Sequence, residues 1–433
     1  MLMTSVAGLN FSNVAWPTLN QPPGQAGPWE QGIATLRAAA RPPRDDASDA
    51  QPPTKPHPAN PHQAPESEPS HTDSFSADPL ASEAFRSAVD LESRRRFDHF
   101  LTGVERYRAH PYRRTLEEPP VVWSEGTTRL LDYSEPGAEG PPVLIIPSLI
   151  NRSYILDLRS SRSLVRSLAR QNLRPFLVDW AAPGPLEGDF DLSDYIVGRL
   201  HLALQAVVEI TGQPTAVLGY CMGGLLALAL ALRAPAKIGA LALLATPWDF
   251  HKGAPQHAAA LRSLRPQIEA MIAMGKGMPV DLLQSFFAAL DPLAVERKFR
   301  AFAQTDPASA RARDFVAIED WLNDGVPLVS RVARESLLGW YGDNDAARGA
   351  WLVSGRPVVP QELNCPCLVM VPERDRIVPP QSALALAEAV PNAECVMVSA
   401  GHVGMVAGGT SQGEVYGPLS RWLKERLLGA KGA

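Results

Sequence analysis

The chain is poor in cysteine, with four in 433 residues and no C-x-x-C pair. That scarcity excludes a disulfide framework and fits a reducing compartment. Long hydrophobic runs are missing too. The longest, Ala216–Leu232, spans 17 residues, at the lower limit for a bilayer span, and is interrupted by Gly219, Gly223 and Gly224. A buried strand, a tight turn and a packed helix are expected there instead of a transmembrane segment. No block of like charge occurs: 41 Lys and Arg stand against 46 Asp and Glu, for a net charge of -5, so nucleic acid is not an expected partner. Neither G-x-x-x-x-G-K-[ST] nor G-x-G-x-x-G is present, which leaves nucleotide phosphate chemistry without support. Residues 1–16 lack a basic stretch followed by an apolar run, so export is not expected and a cytoplasmic location is. There is no internal repeat.

Proline, by contrast, is abundant and uneven: fourteen of the 41 fall in the first 80 residues. From Arg41 to Pro79 they lie among Ser, Asp, Glu and His, a composition that cannot bury enough apolar surface to offset its ordering entropy. Residues 1–83 are therefore expected to be a largely disordered tail. Within it Leu9, Phe11, Trp16, Trp29, Ile33 and Leu36 suit either a short docking segment or a plain tether.

The folded part is expected over residues 84–433. Phe85, Val89, Phe97, Phe100 and Val104 recur at helical spacing up to His110. Strand-like and helical stretches then alternate: strand Pro142–Pro147, helix Leu156–Arg170, strand Pro175–Asp179, helix Leu192–Thr211, strand Ala216–Tyr220, helix Met222–Arg233 and strand Ile238–Ala245. Strands Cys367–Val371 and Glu394–Val398 and a closing helix, Pro418–Leu428, complete the series. Such alternation implies a mainly parallel, doubly wound α/β sheet. Between Trp248 and Val353 helical patterns replace the strands, at Ala258–Met274, Val280–Leu290 and Ile318–Trp321, so 248–353 reads as an inserted helical cap.

The sharpest local feature is Gly219-Tyr220-Cys221-Met222-Gly223, placed between an apolar strand and a Leu/Ala helix. It has the form G-x-nucleophile-x-G of the α/β-hydrolase elbow, with cysteine where serine is usual. The helix amino terminus and the Met222 N–H would there favour a thiolate and bind a developing oxyanion. In that fold an acid and then a histidine follow, each just after a late strand. Asp375 follows the strand Cys367–Val371 and His402 follows Glu394–Val398. Of the nine histidines, only His402 is placed to be the base. Glu373 competes with Asp375, but the turn and the Ile-Val-Pro that follow favour Asp375. A second oxyanion N–H is expected after the first strong strand, at Leu149 or Ile150. Cys365 and Cys367 have no second pair or neighbouring histidine, so no metal is expected.

These residues resemble the polyhydroxyalkanoate synthases, in particular the short class III catalytic subunits of the α/β-hydrolase superfamily. The resemblance runs from about Val143 onward. It rests on Pro147–Leu158 (PSLINRSYILDL), Val178-Asp179-Trp180, the elbow GYCMGG, Ala245-Thr246-Pro247, Gly355-Arg356-Pro357-Val358, Asp375-Arg376-Ile377-Val378-Pro379, Gly401-His402-Val403-Gly404 and Trp422–Arg426. The chain departs from that family at Arg376, where it usually has His, and at Leu225, where it often has Thr. The resemblance implies an acyltransferase that polymerises 3-hydroxyacyl-CoA thioesters and releases CoA, with Cys221, His402 and Asp375 as triad and Asn151 and Tyr154 contacting substrate. It implies no cofactor beyond the CoA thioester as substrate. The implied partners are a polyester granule surface, a second synthase subunit and further copies of the chain, the first giving granule association. Two other readings stay open: an intracellular polyester depolymerase or thioesterase with the same triad, and a non-catalytic granule-associated subunit.

Overall fold

Short runs of Val, Ile, Leu and Ala bounded by Pro, Gly or Asp set the strands of this chain. The computed structural model describes residues 83–274 and 277–429, so the expectations for the tail lie outside the described residues apart from Glu83. The chain divides after Glu105 into two units. In the first, residues 83–105 form most of the helix Glu83–Ala109, with ion pairs Arg94–Asp90, Arg95–Glu92 and Arg96–Glu92 one helical turn apart.

The second unit, from Arg106, holds twelve strands among its described residues: β1 Val121–Glu125, β2 Thr128–Asp132, β3 Pro142–Ile146, β4 Asp157–Arg159, β5 Arg162–Ser163, β6 Arg174–Asp179, β7 Thr215–Tyr220, β8 Ile238–Leu244, β9 Leu352–Val353, β10 Arg356–Pro357, β11 Cys367–Pro372 and β12 Glu394–Val398. Eight of them form one sheet in the order β1-β2-β6-β3-β7-β8-β11-β12. Pairing is parallel from β6 to β12, and antiparallel where β2 meets β1 and β6. Every residue of β3, β7 and β11 is buried, the mark of parallel strands covered on both faces.

The alternation of side chains feeds two apolar layers. Leu144, Ile146 and Val217 pack on one side with the helix Met222–Arg233; Val143, Ile145, Ala216 and Leu218 pack on the other with helices Leu164–Arg170 and Gly417–Gly429. All residues from Met222 to Ala231 are buried. At about 2 kcal/mol per fully buried leucine, this helix is held by packing on every side.

Two expectations are corrected. The hairpin β1–β2 had not been foreseen, because Val121 and Val122 are exposed on an edge strand and give no core signal. The expected helix Leu156–Arg170 is shorter: a 3-10 turn Ser153–Leu156 and the β4–β5 hairpin come first, and Ser163 caps Leu164–Arg170 by accepting a hydrogen bond from the Arg166 N–H.

Between β8 and β9 the described residues are helical: Pro255–Ser263, Arg265–Ala273, Val280–Leu290, Ala294–Ala303, Ala310–Asn323, Ser330–Ala333 and the π-helical Arg334–Asp343. The run expected from Ala258 to Met274 is broken at Leu264 because Pro266 starts a new helix. Among the described residues no helix is long and apolar enough to cross a membrane.

Candidate active site

Three strand ends, those of β7, β11 and β12, carry the expected residues. β7 ends at Tyr220 and the next helix begins at Met222, leaving Cys221 to make the whole turn at φ 56°, ψ −128°. A non-glycine residue there is strained, and the surroundings hold it: the Cys221 N–H donates to Leu244 O at 2.9 Å, and Cys221 O accepts from the Gly224 N–H at 2.9 Å. The glycines are required by close approach. A Cβ on Gly219 would sit 2.4 Å from Gly224 Cα, and one on Gly223 would sit 2.2 Å from Ile146 O. The amino terminus of the helix is thus pressed against the end of β3.

Asp375 follows β11 and is buried, and His402 follows β12 and is 8% exposed. Asp375 Oδ2 lies 2.6 Å from His402 Nδ1, while Oδ1 accepts from the N–H groups of Ile377 at 2.8 Å and Val378 at 2.9 Å. Cys221 acts on the His402 ring from the neighbouring strand end. Burial by itself disfavours the charged ring, but Asp375, through its charge and its hydrogen bond, together with neighbouring Cys221 outweighs it and holds His402 well above the ordinary histidine value. The structure therefore joins His402 to Asp375 by a hydrogen bond and sets Cys221 at the end of the neighbouring strand β7. Glu373 is exposed, and Arg376 turns outward to Asp291 at 2.7 Å. Burial pushes the Cys365 thiol up to about 11 and raises Cys367 as well.

The other expected residues fall around this chain unequally. Met222 opens the helix directly after Cys221. Leu149 is buried beyond β3, but the neighbouring Ile150 N–H already donates to Ser148 Oγ at 3.2 Å. Asn151 forms a β-bridge with Gly325, and Tyr154 lies near enough to Asp324 for that carboxylate to act on its hydroxyl. Both are thereby tied to the end of helix Ala310–Asn323, as is Arg152, whose carbonyl accepts from Trp321 Nε1 at 2.8 Å. Asp157 of the same stretch is fully buried among Arg114, Arg166 and the Tyr133 hydroxyl, an anchoring role.

Two tyrosines were missed. The Tyr220 hydroxyl donates to His402 O at 3.1 Å and its ring lies 5.3 Å from the imidazole. Its place inside the elbow motif was the available signal. Tyr341, on the π-helical turn, packs on Phe250 at 4.6 Å and Phe286 at 5.6 Å. Burial and then the charges of Cys221 and Asp375 push its hydroxyl well above the usual tyrosine range, and Tyr341 and Cys221 pack against the same apolar cluster. No local pattern marks it. Among the described residues no group of three or more His, Cys, Asp or Glu is arranged to hold a metal ion.

A family model described as the alpha/beta hydrolase fold matches residues 141–408, more than half of the chain. The chain belongs to the α/β-hydrolase fold family. The curated relatives of this α/β-hydrolase are polyester polymerases. A "Poly(3-hydroxyalkanoate) polymerase subunit PhaC" of Haloferax mediterranei is 29% identical over 356 residues, covering 78% of this chain and 72% of its own. That of Synechocystis sp. is 29% identical, covering 76% and 91%, and that of Allochromatium vinosum 26% identical, covering 71% and 88%. The resemblance drawn from the motifs thus extends along most of the α/β-hydrolase chain.

Proposed function

We propose that this α/β-hydrolase is a polyhydroxyalkanoate synthase, an acyltransferase that builds polyester from 3-hydroxyacyl-CoA. The observation that carries the reading is a cysteine at the strained elbow, beside a buried and hydrogen-bonded His402–Asp375 pair, in a chain whose curated relatives carry that polymerase name.

In this reading Cys221 Sγ attacks the thioester carbonyl. The oxyanion is met by the N–H of Met222 and that of Leu149, since the Ile150 N–H is engaged by Ser148. Charged His402 gives its proton to the departing CoA sulfur, and the acyl group stays on Cys221 as a thioester. Neutral His402 then takes the proton from the 3-hydroxyl of another acyl unit as that oxygen attacks a thioester carbonyl. An ester bond forms and a thiolate leaves. Asp375 keeps Nδ1 engaged, so the other ring nitrogen faces the sulfur. Water would divert the acyl group to free acid. The helical segment 248–353, with Phe250, Phe286 and Tyr341 beside the elbow, acts as the cap that excludes it. A granule surface, a second subunit and a further copy of the chain are the partners this activity calls for.

The test incubates purified protein with 3-hydroxybutyryl-CoA, follows free thiol, and weighs polymer against free hydroxy acid. Thiol release with insoluble polyester, lost in Cys221→Ala, is the expected result. Release of free acid alone would make the protein a hydrolase, and no release with any acyl length, even with a candidate second subunit supplied, would leave it non-catalytic.

A further inference from the structure

The elbow helix carries a second feature at its other end. Eleven residues on from Met222, about 17 Å at 1.5 Å per residue, Arg233 closes the helix. Its Nη2 donates to the carbonyls of Arg356 at 2.7 Å and Pro357 at 3.0 Å. These belong to the β9–β10 hairpin, whose two-residue turn has both Ser354 (φ 49°) and Gly355 (φ 73°) in the left-handed region. The Ser354 N–H donates to Ser193 Oγ at 2.9 Å, so the hairpin is pinned at both ends and the Arg356 side chain rises from a fixed backbone.

Facing it, His201 Nε2 lies 3.5 Å from Lys237 Nζ. Val197, His201, Arg233, Ser354 and Arg356 line an open cleft of about 420 Å³, within the size range of small-molecule sites. Among the described residues no carboxylate forms an ion pair with Arg233, Lys237 or Arg356; the acidic group acting on Arg233 is the exposed Glu362. After burial, Arg356 weakens the hold of Arg233 on its proton, and Lys237 holds His201 below the ordinary histidine value. Like charges gathered without a counter-ion are relieved by a bound anion, and a guanidinium on one wall of the cleft with an ammonium 3.5 Å from the lining His201 suits phosphate oxygens. The Gly355–Val358 stretch, which the elbow chemistry does not use, thereby gains a role.

We propose that this cleft binds a small phosphorylated molecule bearing a diphosphate group, at a site separate from Cys221 and independent of the reaction carried out there. Arg356 and Lys237 grip the phosphates, His201 lines the floor, and Arg233 positions the hairpin.

The experiment titrates the full chain with inorganic pyrophosphate by calorimetry, with sulfate at matched ionic strength as the control. One saturable site with Kd below about 1 mM is expected, weakened about tenfold or more in both Arg356→Gln and Lys237→Gln. The melting temperature of both variants should equal that of the parent, and so should their Cys221-dependent thiol release. Unsaturable binding, equal binding of sulfate, or affinity unchanged in both variants would overturn the proposal. Displacement of pyrophosphate by ADP or by free CoA assigns the natural ligand to an adenylated carrier, and failure of both assigns it to the free diphosphate; either result keeps the site.

Discussion

At the residue scale the decisive feature is the balance on His402. Its burial penalises charge, and the neighbouring carboxylate of Asp375, 2.6 Å from Nδ1, overcomes that penalty. Asp375→Asn removes the charge while keeping the shape, so burial should win. The His402 titration midpoint, followed by NMR of carbon-13-labelled histidine, is expected to move down. Thiol release should fall roughly 10²- to 10⁴-fold, because the orienting carboxylate is lost. An unmoved midpoint would mean that Asp375 does not set the state of this ring. The places of Cys221, Asp375 and His402 were legible in the sequence because each follows an apolar strand closely, and a strand end is a local signal. Tyr341 was not, since its position beside Cys221 depends on how the π-helical Arg334–Asp343 packs against Phe250 and Phe286, residues far away in the chain. Asn151 and Tyr154 were legible as a motif, yet the structure engages them with Gly325 and Asp324, partners that only the fold reveals.

At the scale of the element, the elbow joins strand geometry to helix geometry with no spare atoms. Gly223 lies so close to β3 that an added methyl would meet Ile146 O at 2.2 Å and Pro147 O at 2.6 Å, both backbone groups unable to swing aside. Gly223→Ala should therefore push the helix amino terminus away from β3, separating the Met222 N–H from Leu149. The expected outcome is a loss of thiol release of about 10²-fold or more with a lowered melting temperature, read by activity and circular dichroism on the same preparation. Full activity would show that the close contact is not needed. The two glycines could be read in advance because G-x-C-x-G carries its own steric reason. The β1–β2 hairpin could not, since an edge strand with exposed Val121 and Val122 lacks the burial pattern that announces a core strand. The stretch after Leu156 misled for the opposite reason: its apolar residues suit a helix, but Asp157, fully buried against Arg114 and Arg166, fixes it as an extended hairpin strand.

At the scale of the whole molecule, titrating groups away from the elbow set how stability responds to pH. Glu335 on the π-helical turn is partly buried, accepts from the Leu192 N–H at 3.1 Å, and faces Asp191 and Asp194 across that contact. Burial, opposed by the Leu192 hydrogen bond and reinforced by the two aspartates, pushes its carboxyl up to about 7 from an ordinary value of 4.5. The native state thus binds this proton more tightly than the unfolded chain does. That contribution is complete below about pH 4.5 and is lost as pH rises through about 7. Glu335→Gln keeps the acceptor for Leu192 and cannot ionise. Its melting temperature should nearly match that of the parent at pH 5 and exceed it at pH 8, the gap opening across the interval between. Calorimetric scans of both proteins over that range test the point. A gap of constant size would mean that Glu335 titrates alike in both states and that the charge of Asp191 and Asp194 does not reach it.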